Sequence, residues 1–101
     1  MSVNIDLHLS VGGLSGREEA ELVLGALVGL LRDEGIEDEV PIGWAEDQGE
    51  FFVTGESSHP LIITRFYRWG PMFEETVARV VGETAPAAKA AVTWGYPDDD
   101  Y

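Results

Sequence analysis

Hydrophobic and polar residues alternate strictly at the start of the chain. Over residues 2–11, Val3, Ile5, Leu7, Leu9 and Val11 fall on one side and Ser2, Asn4, Asp6, His8 and Ser10 on the other. This is the pattern of a strand buried on one face. Gly12 and Gly13 are expected to end it. Ser15, followed three residues later by Glu18, predicts a capping-box helix start, with Glu18, Glu19 and Glu21 favourably placed at the positive end of the helix. From Ala20 the period changes. Val23, Leu24, Leu27, Leu30 and Leu31 recur at three- and four-residue spacing, which lines one face of a helix running to about Glu34, with Gly35 as its C-cap. Gly25 and Gly29 lie one turn apart within it, each costing about 1 kcal/mol relative to Ala, and close packing against a sheet is expected there.

Val40, Ile42 and Trp44 alternate as a second strand, with Pro41 near its start or on an edge because it cannot donate to a ladder. Glu46-Asp47-Gln48-Gly49 predicts a hairpin loop. Phe51–Thr54 make a third strand, stopped by Gly55 and the polar run Glu56–Pro60, and a fourth strand is expected from Leu61 to about Trp69. Gly70-Pro71 then suits a helix start, with Phe73, Val77, Val80 and Val81 as the buried stripe and Gly82 and Pro86 as terminators. A last strand covers Ala91–Trp94. The order strand, helix, three strands, helix, strand predicts a single α+β domain over 1–101. Its sheet is largely antiparallel with both helices on one face, related to the split β-α-β arrangement with an added strand.

Composition changes this picture in one respect. Nineteen Asp and Glu stand against six Lys and Arg in 101 residues, a formal net charge of −13. Such a surface repels phosphate backbones and favours basic partners, so direct nucleic-acid binding is not expected. With no cysteine, disulfides, thiolate metal sites and cysteine nucleophiles are excluded. The N-terminus has no signal-peptide pattern and no stretch approaches the ~20 apolar residues of a membrane span, which predicts a cytoplasmic protein.

The charge is uneven. From Asp33 to Glu56 there are nine acids (Asp33, Glu34, Glu37, Asp38, Glu39, Glu46, Asp47, Glu50, Glu56) and no Lys or Arg. One strongly negative end of the domain is expected from the loop after the first helix together with the hairpin. Residues 57–73 hold no acid but contain His59, Arg65 and Arg68 among Phe66, Tyr67 and Trp69. On a strand, Arg65, Tyr67 and Trp69 would share one side. Aromatic residues and Arg are the types enriched at binding hot spots.

Catalytic signals are generic. Asp6 and His8 share a strand face, as many exposed pairs do. Ser57, Ser58 and His59 are adjacent without a nucleophile-elbow context, and no zinc-protease, phosphate-loop or dinucleotide motif occurs. No enzyme activity, cofactor or metal is expected.

Three segments, Val53-Thr54-Gly55 through Ser58-His59, Glu83-Thr84-Ala85-Pro86, and Trp94-Gly95-Tyr96-Pro97-Asp98-Asp99-Asp100, resemble the second half of small acidic immunity proteins that neutralise bacterial polymorphic toxins. The resemblance implies a cognate toxin blocked by an acidic surface that occupies a cationic cleft. Position and residue type nominate the contacts: Glu37, Asp38 and Glu39 after the first helix, Trp44, Glu46 and Asp47 at the hairpin, and Trp94, Tyr96, Asp98, Asp99 and Asp100 at the C-terminus. A protein that imitates nucleic acid by spacing carboxylates like phosphates is the alternative. A small-molecule site on His59, Arg65 and Arg68 is a third.

Overall fold

The structure, a computed structural model, describes residues 2–96. β1 (Ser2–Leu14) leads into α1 (Arg17–Asp33). A short 3-10 turn (Glu37–Glu39) follows, then β2 (Ile42–Asp47), β3 (Glu50–Glu56), β4 (Leu61–Thr64), α2 (Phe66–Thr84) and β5 (Lys89–Gly95). The strands form one five-stranded sheet in which every pairing is antiparallel. β1 is its centre. β5 runs along one edge, β3 and β4 follow one another along the other, and β2 lies outside β3. This is the expected α+β sandwich, a ferredoxin-like split β-α-β arrangement in which one neighbour of β1 is divided in two.

The division has a local cause. His8 pairs with Glu56 and Ile5 with Leu61, so three steps along β1 face five along its neighbour. The surplus loops out between Ser57 and Pro60. Ser57 keeps the ladder intact across the break: its N–H donates to the Leu7 carbonyl (2.9 Å), and its Oγ accepts from the Leu7 N–H (3.0 Å). A side-chain oxygen thus stands in for a backbone carbonyl, which accounts for Ser57 being the buried polar residue of the core.

β1 does not stop at Gly12-Gly13 as expected. Val11 pairs with Val53 and Leu14 with Phe51, so one extra residue bulges out of β1 here. Gly13 sits at φ 75, and a Cβ on it would lie 3.2 Å from the Ala87 carbonyl, so both conformation and contact require glycine. The bulge returns Leu14 to the buried face. α1 then starts one residue later than the capping box predicts. Gly16 is the N-cap, and Glu19 Oε1 accepts from the Ser15 N–H (2.9 Å). Its C-terminus closes on Gly35: the Gly35 N–H donates to the Arg32 carbonyl and the Ile36 N–H to the Leu31 carbonyl, both at 3.0 Å. These two bonds make a Schellman motif, and Ile36 is buried beside Leu31 in the core.

Gly25 is exposed, and a Cβ on Gly25 or Gly29 would meet nothing within 4 Å. The expected close packing against the sheet is therefore absent at both. At 100° per residue, Gly25 lies about 200° round from Val23 and so turns away from the buried stripe.

The largest departure comes after β4. The strand ends at Thr64, Arg65 adopts the left-handed conformation (φ 57, ψ 47), and α2 begins at Phe66. Phe66–Trp69 are helical, so Arg65, Tyr67 and Trp69 do not share a strand side. Pro71 lies inside the helix instead of at its start, and the helix passes Gly82 to end at Thr84. β3 and β5 also outrun their predicted ends, because Gly55 and Gly95 keep their ladder positions. The hairpin turn is two residues, Gln48 and Gly49, with φ 53 and 83 as a type I′ turn requires.

Both helices pack on one face of the sheet. Leu7, Leu9 and Val11 of β1 meet Val23, Leu27 and Leu31 of α1 and Phe73, Val77 and Val81 of α2 in one core. Each such side chain contributes about 1.5–3 kcal/mol by leaving water.

Candidate functional site

The expected contact residues fall into three places. Glu37, Asp38 and Glu39 form the 3-10 turn at the C-terminal end of α1, and Glu46 and Asp47 close β2 at the opposite end of that strand. The six residues of β2 separate the two groups by about 20 Å of extended chain, so the acid-only segment makes two patches and not one negative end. Among the described residues, ion pairs to arginine involve Glu37 with Arg32 (2.9 Å) and Glu21 with Arg17 (3.8 Å). The hydrogen-bonded Glu37 carboxylate, and then its charge, raise the Arg32 pKa above its ordinary value.

Trp94 and Tyr96 belong to an aromatic cluster at the start of α2. Trp94 meets Phe66 edge-on at 5.0 Å and Trp69 at 5.7 Å, Tyr96 meets Phe66 at 6.0 Å, and Trp69 stacks on Phe73 at 4.8 Å. Both indole N–H groups donate to carboxylates at 2.8 Å, Trp69 to Glu34 and Trp94 to Glu74. Trp94 is thereby half-buried structure that ties β5 to α2, whereas Tyr96 keeps 50% of its surface. Trp44 is half-buried on the helix side, 6.0 Å from Phe51, with the Arg17 guanidinium 5.6 Å from its ring centre. Asp98, Asp99 and Asp100 lie outside the described residues.

His59, Arg65 and Arg68 are all exposed, spread over the β3–β4 loop, the helix cap and the first turn of α2. His59 Nδ1 lies 3.3 Å from the Pro60 carbonyl. No bond or ion pair among these three is seen among the described residues.

What strand alternation places together is a different set. Opposite the helices, the open face of the sheet carries Asp6, His8 and Ser10 of β1, Thr54 and Glu56 of β3, and Ala91 and Thr93 of β5, in register across the strands. One cross-strand row, Gly43–Thr54–Ser10–Ala91, is built of small side chains. The next row, Glu56–His8–Thr93, stands taller, and Pro41 and Ser58 rise at the β2–β3 side. The result is a shallow depression of about 660 Å³ lined by hydroxyls, one imidazole and one carboxylate together with Leu9, Pro41 and Gly55. His8 Nε2 and Glu56 Oε1 are 3.7 Å apart, beyond hydrogen-bond distance, and both side chains are more than half exposed. Ser58 holds the rim: its N–H (3.0 Å) and its Oγ (3.3 Å) both donate to the Glu39 carbonyl.

No family model and no curated protein matches the chain. Among solved structures it is similar to the de novo designed protein Foldit4, at 11% identity and a TM-score of 0.67, over 91% of this chain and 96% of that one. A second designed protein, LFR1 1 with ferredoxin fold, aligns at 12% identity and a TM-score of 0.46, over 98% of this chain and 91% of that one. The likeness to Foldit4 shows the fold and nothing further.

Among the described residues no group of three or more His, Asp and Glu is arranged to hold a metal ion. No helix among the described residues is long and apolar enough to cross a membrane. The residues that line the depression were not singled out by motif. The usable signal was the alternation itself, which puts His8 and Ser10 on the uncovered side of a strand.

Proposed function

We propose that this chain is a non-enzymatic inhibitor that binds a basic protein, in the manner of an immunity protein that occludes the cationic cleft of a bacterial toxin in the cytoplasm. The observation that carries the reading is unneutralised charge. The chain has nineteen acids, and among the described residues arginine neutralises Glu21 and Glu37. Carboxylates held in water on a rigid sandwich project a field that steers a cationic partner, raising association rates by about 10 to 10³. Exposed aromatic surface at Tyr67 and Tyr96 supplies contacts of the kind that become desolvated anchors. Binding strength then depends on both, and salt acts mainly on the association rate.

The test is capture from the native host on the immobilised protein, followed by kinetics with the purified partner and an assay of that partner's activity. The expected partner is basic, loses its activity when bound, and associates far more slowly in about 1 M salt, where the screening length falls to about 3 Å. A partner whose association is indifferent to salt, or whose activity survives saturation, refutes occlusion by an acidic surface. Displacement of DNA from several unrelated basic proteins moves the reading to nucleic-acid mimicry.

A further inference from the structure

We infer that the open face of the sheet, centred on the depression between Thr54, Glu56, Ser10 and Thr93, is the surface that takes the arginine and lysine side chains of a basic protein partner. The inference rests on the proposal that the partner is basic, and adds where and how it binds.

Both helices are committed to the other face, and no described element covers this one. Its charge is graded. Asp6 and Glu56 stand at one end and Asp47 and Glu50 at the other, with Lys89 as the one Lys or Arg that strand register places on this face among the described residues. Between the carboxylates lie Gly43, Ala45, Thr54, Ser10 and Ala91, short enough to let a long side chain lie flat. A guanidinium offers five donors in a plane. The Glu56 carboxylate on the rim, the hydroxyls of Ser10 and Thr54 on the floor and that of Thr93 in the row beside His8 are acceptors for it, and Pro41, which also lines the depression, gives the aliphatic stem apolar surface. At about 660 Å³ the depression holds one such side chain with its water. In the other acidic patch, Glu37–Glu39, Glu37 is hydrogen-bonded to Arg32 at 2.9 Å, whereas Glu56 has the His8 imidazole at the looser distance of 3.7 Å.

An oligo-arginine peptide titrated at low salt into the full-length ¹⁵N-labelled protein reads the site directly. Amide shifts are expected to centre on Ser10, Thr54, Glu56 and Thr93, and affinity to fall about tenfold in Glu56→Lys and in Thr54→Arg, each of which replaces attraction with repulsion at the depression. Glu18→Lys, an equal charge change on the outer side of α1, is expected to weaken binding by no more than about twofold. All three positions are exposed, and thermal melts establish that the variants stay folded. Equal weakening by Glu56→Lys and Glu18→Lys, or shifts centred on Glu37–Glu39, overturns the placement while the basic-partner reading stands. Failure of the peptide to bind at all at low salt overturns both.

Discussion

Along β1, Ile5, Leu7, Leu9 and Val11 point into the helices and are buried, while Asp6, His8 and Ser10, each one residue away, face outward. The covered face is apolar, aliphatic at its centre with aromatic rings packed around it, and its polar exception among the described residues, Ser57, makes two ladder bonds. The open face is small, hydroxylated and charged, and His8 and Glu56 stand 3.7 Å apart without bonding. From Ile5 to Val11, ahead of the bulge, parity alone divides the strand: odd positions are buried in the core, and even positions are left on the uncovered face.

The sharpest way to break that division is to cut each face in turn. Leu27→Ala, at a fully buried position, is expected to lower unfolding free energy by about 2–5 kcal/mol in denaturant titrations. Ser57→Ala comes next, at about 1–3 kcal/mol, because it strands the Leu7 N–H in the interior; Ser57→Thr keeps the acceptor and is expected to recover part of the loss. Gly25→Ala and Gly29→Ala work in the opposite direction. Neither new methyl meets an obstacle, so each is expected to raise stability by about 1 kcal/mol, whereas Gly55→Ala pushes a methyl to 3.0–3.1 Å from Ile42 and is expected to destabilise. The smallest effect is the most telling. Ser10→Ala and Thr93→Ala on the open face are expected to change stability by less than about 0.5 kcal/mol, and a loss above 1 kcal/mol at either would show that this face is structural.

β1 and α1 were legible because one period dominates each: strict alternation in the first, three- and four-residue spacing in the second. The junction of β4 and α2 was not. Leu61–Trp69 is rich in β-branched and aromatic residues, which suit a strand, and Gly70-Pro71 looks like a helix start. Yet Phe66, Trp69, Gly70, Phe73 and Val77 already have helical spacing, and packing of Phe66 and Trp69 against Trp94 selects that reading. A single left-handed residue, Arg65, makes the switch, and nothing in an arginine announces it. The depression was hidden for another reason. It is assembled by cross-strand register among residues from β1, β3 and β5, none of which is distinctive alone.

The tryptophans also make the molecule its own optical instrument. Trp69 and Trp94, 5.7 Å apart and inclined at 62°, are close enough for their indole transitions to couple, and each is hydrogen-bonded to a carboxylate of another element. Undocking of β5 from α2 would abolish that coupling and change both emission environments at once. Trp44, at the hairpin side with Arg17 over its ring, senses none of this. Replacing it by phenylalanine would leave circular dichroism and fluorescence reading the α2–β5 seam, separately from the rest of the chain.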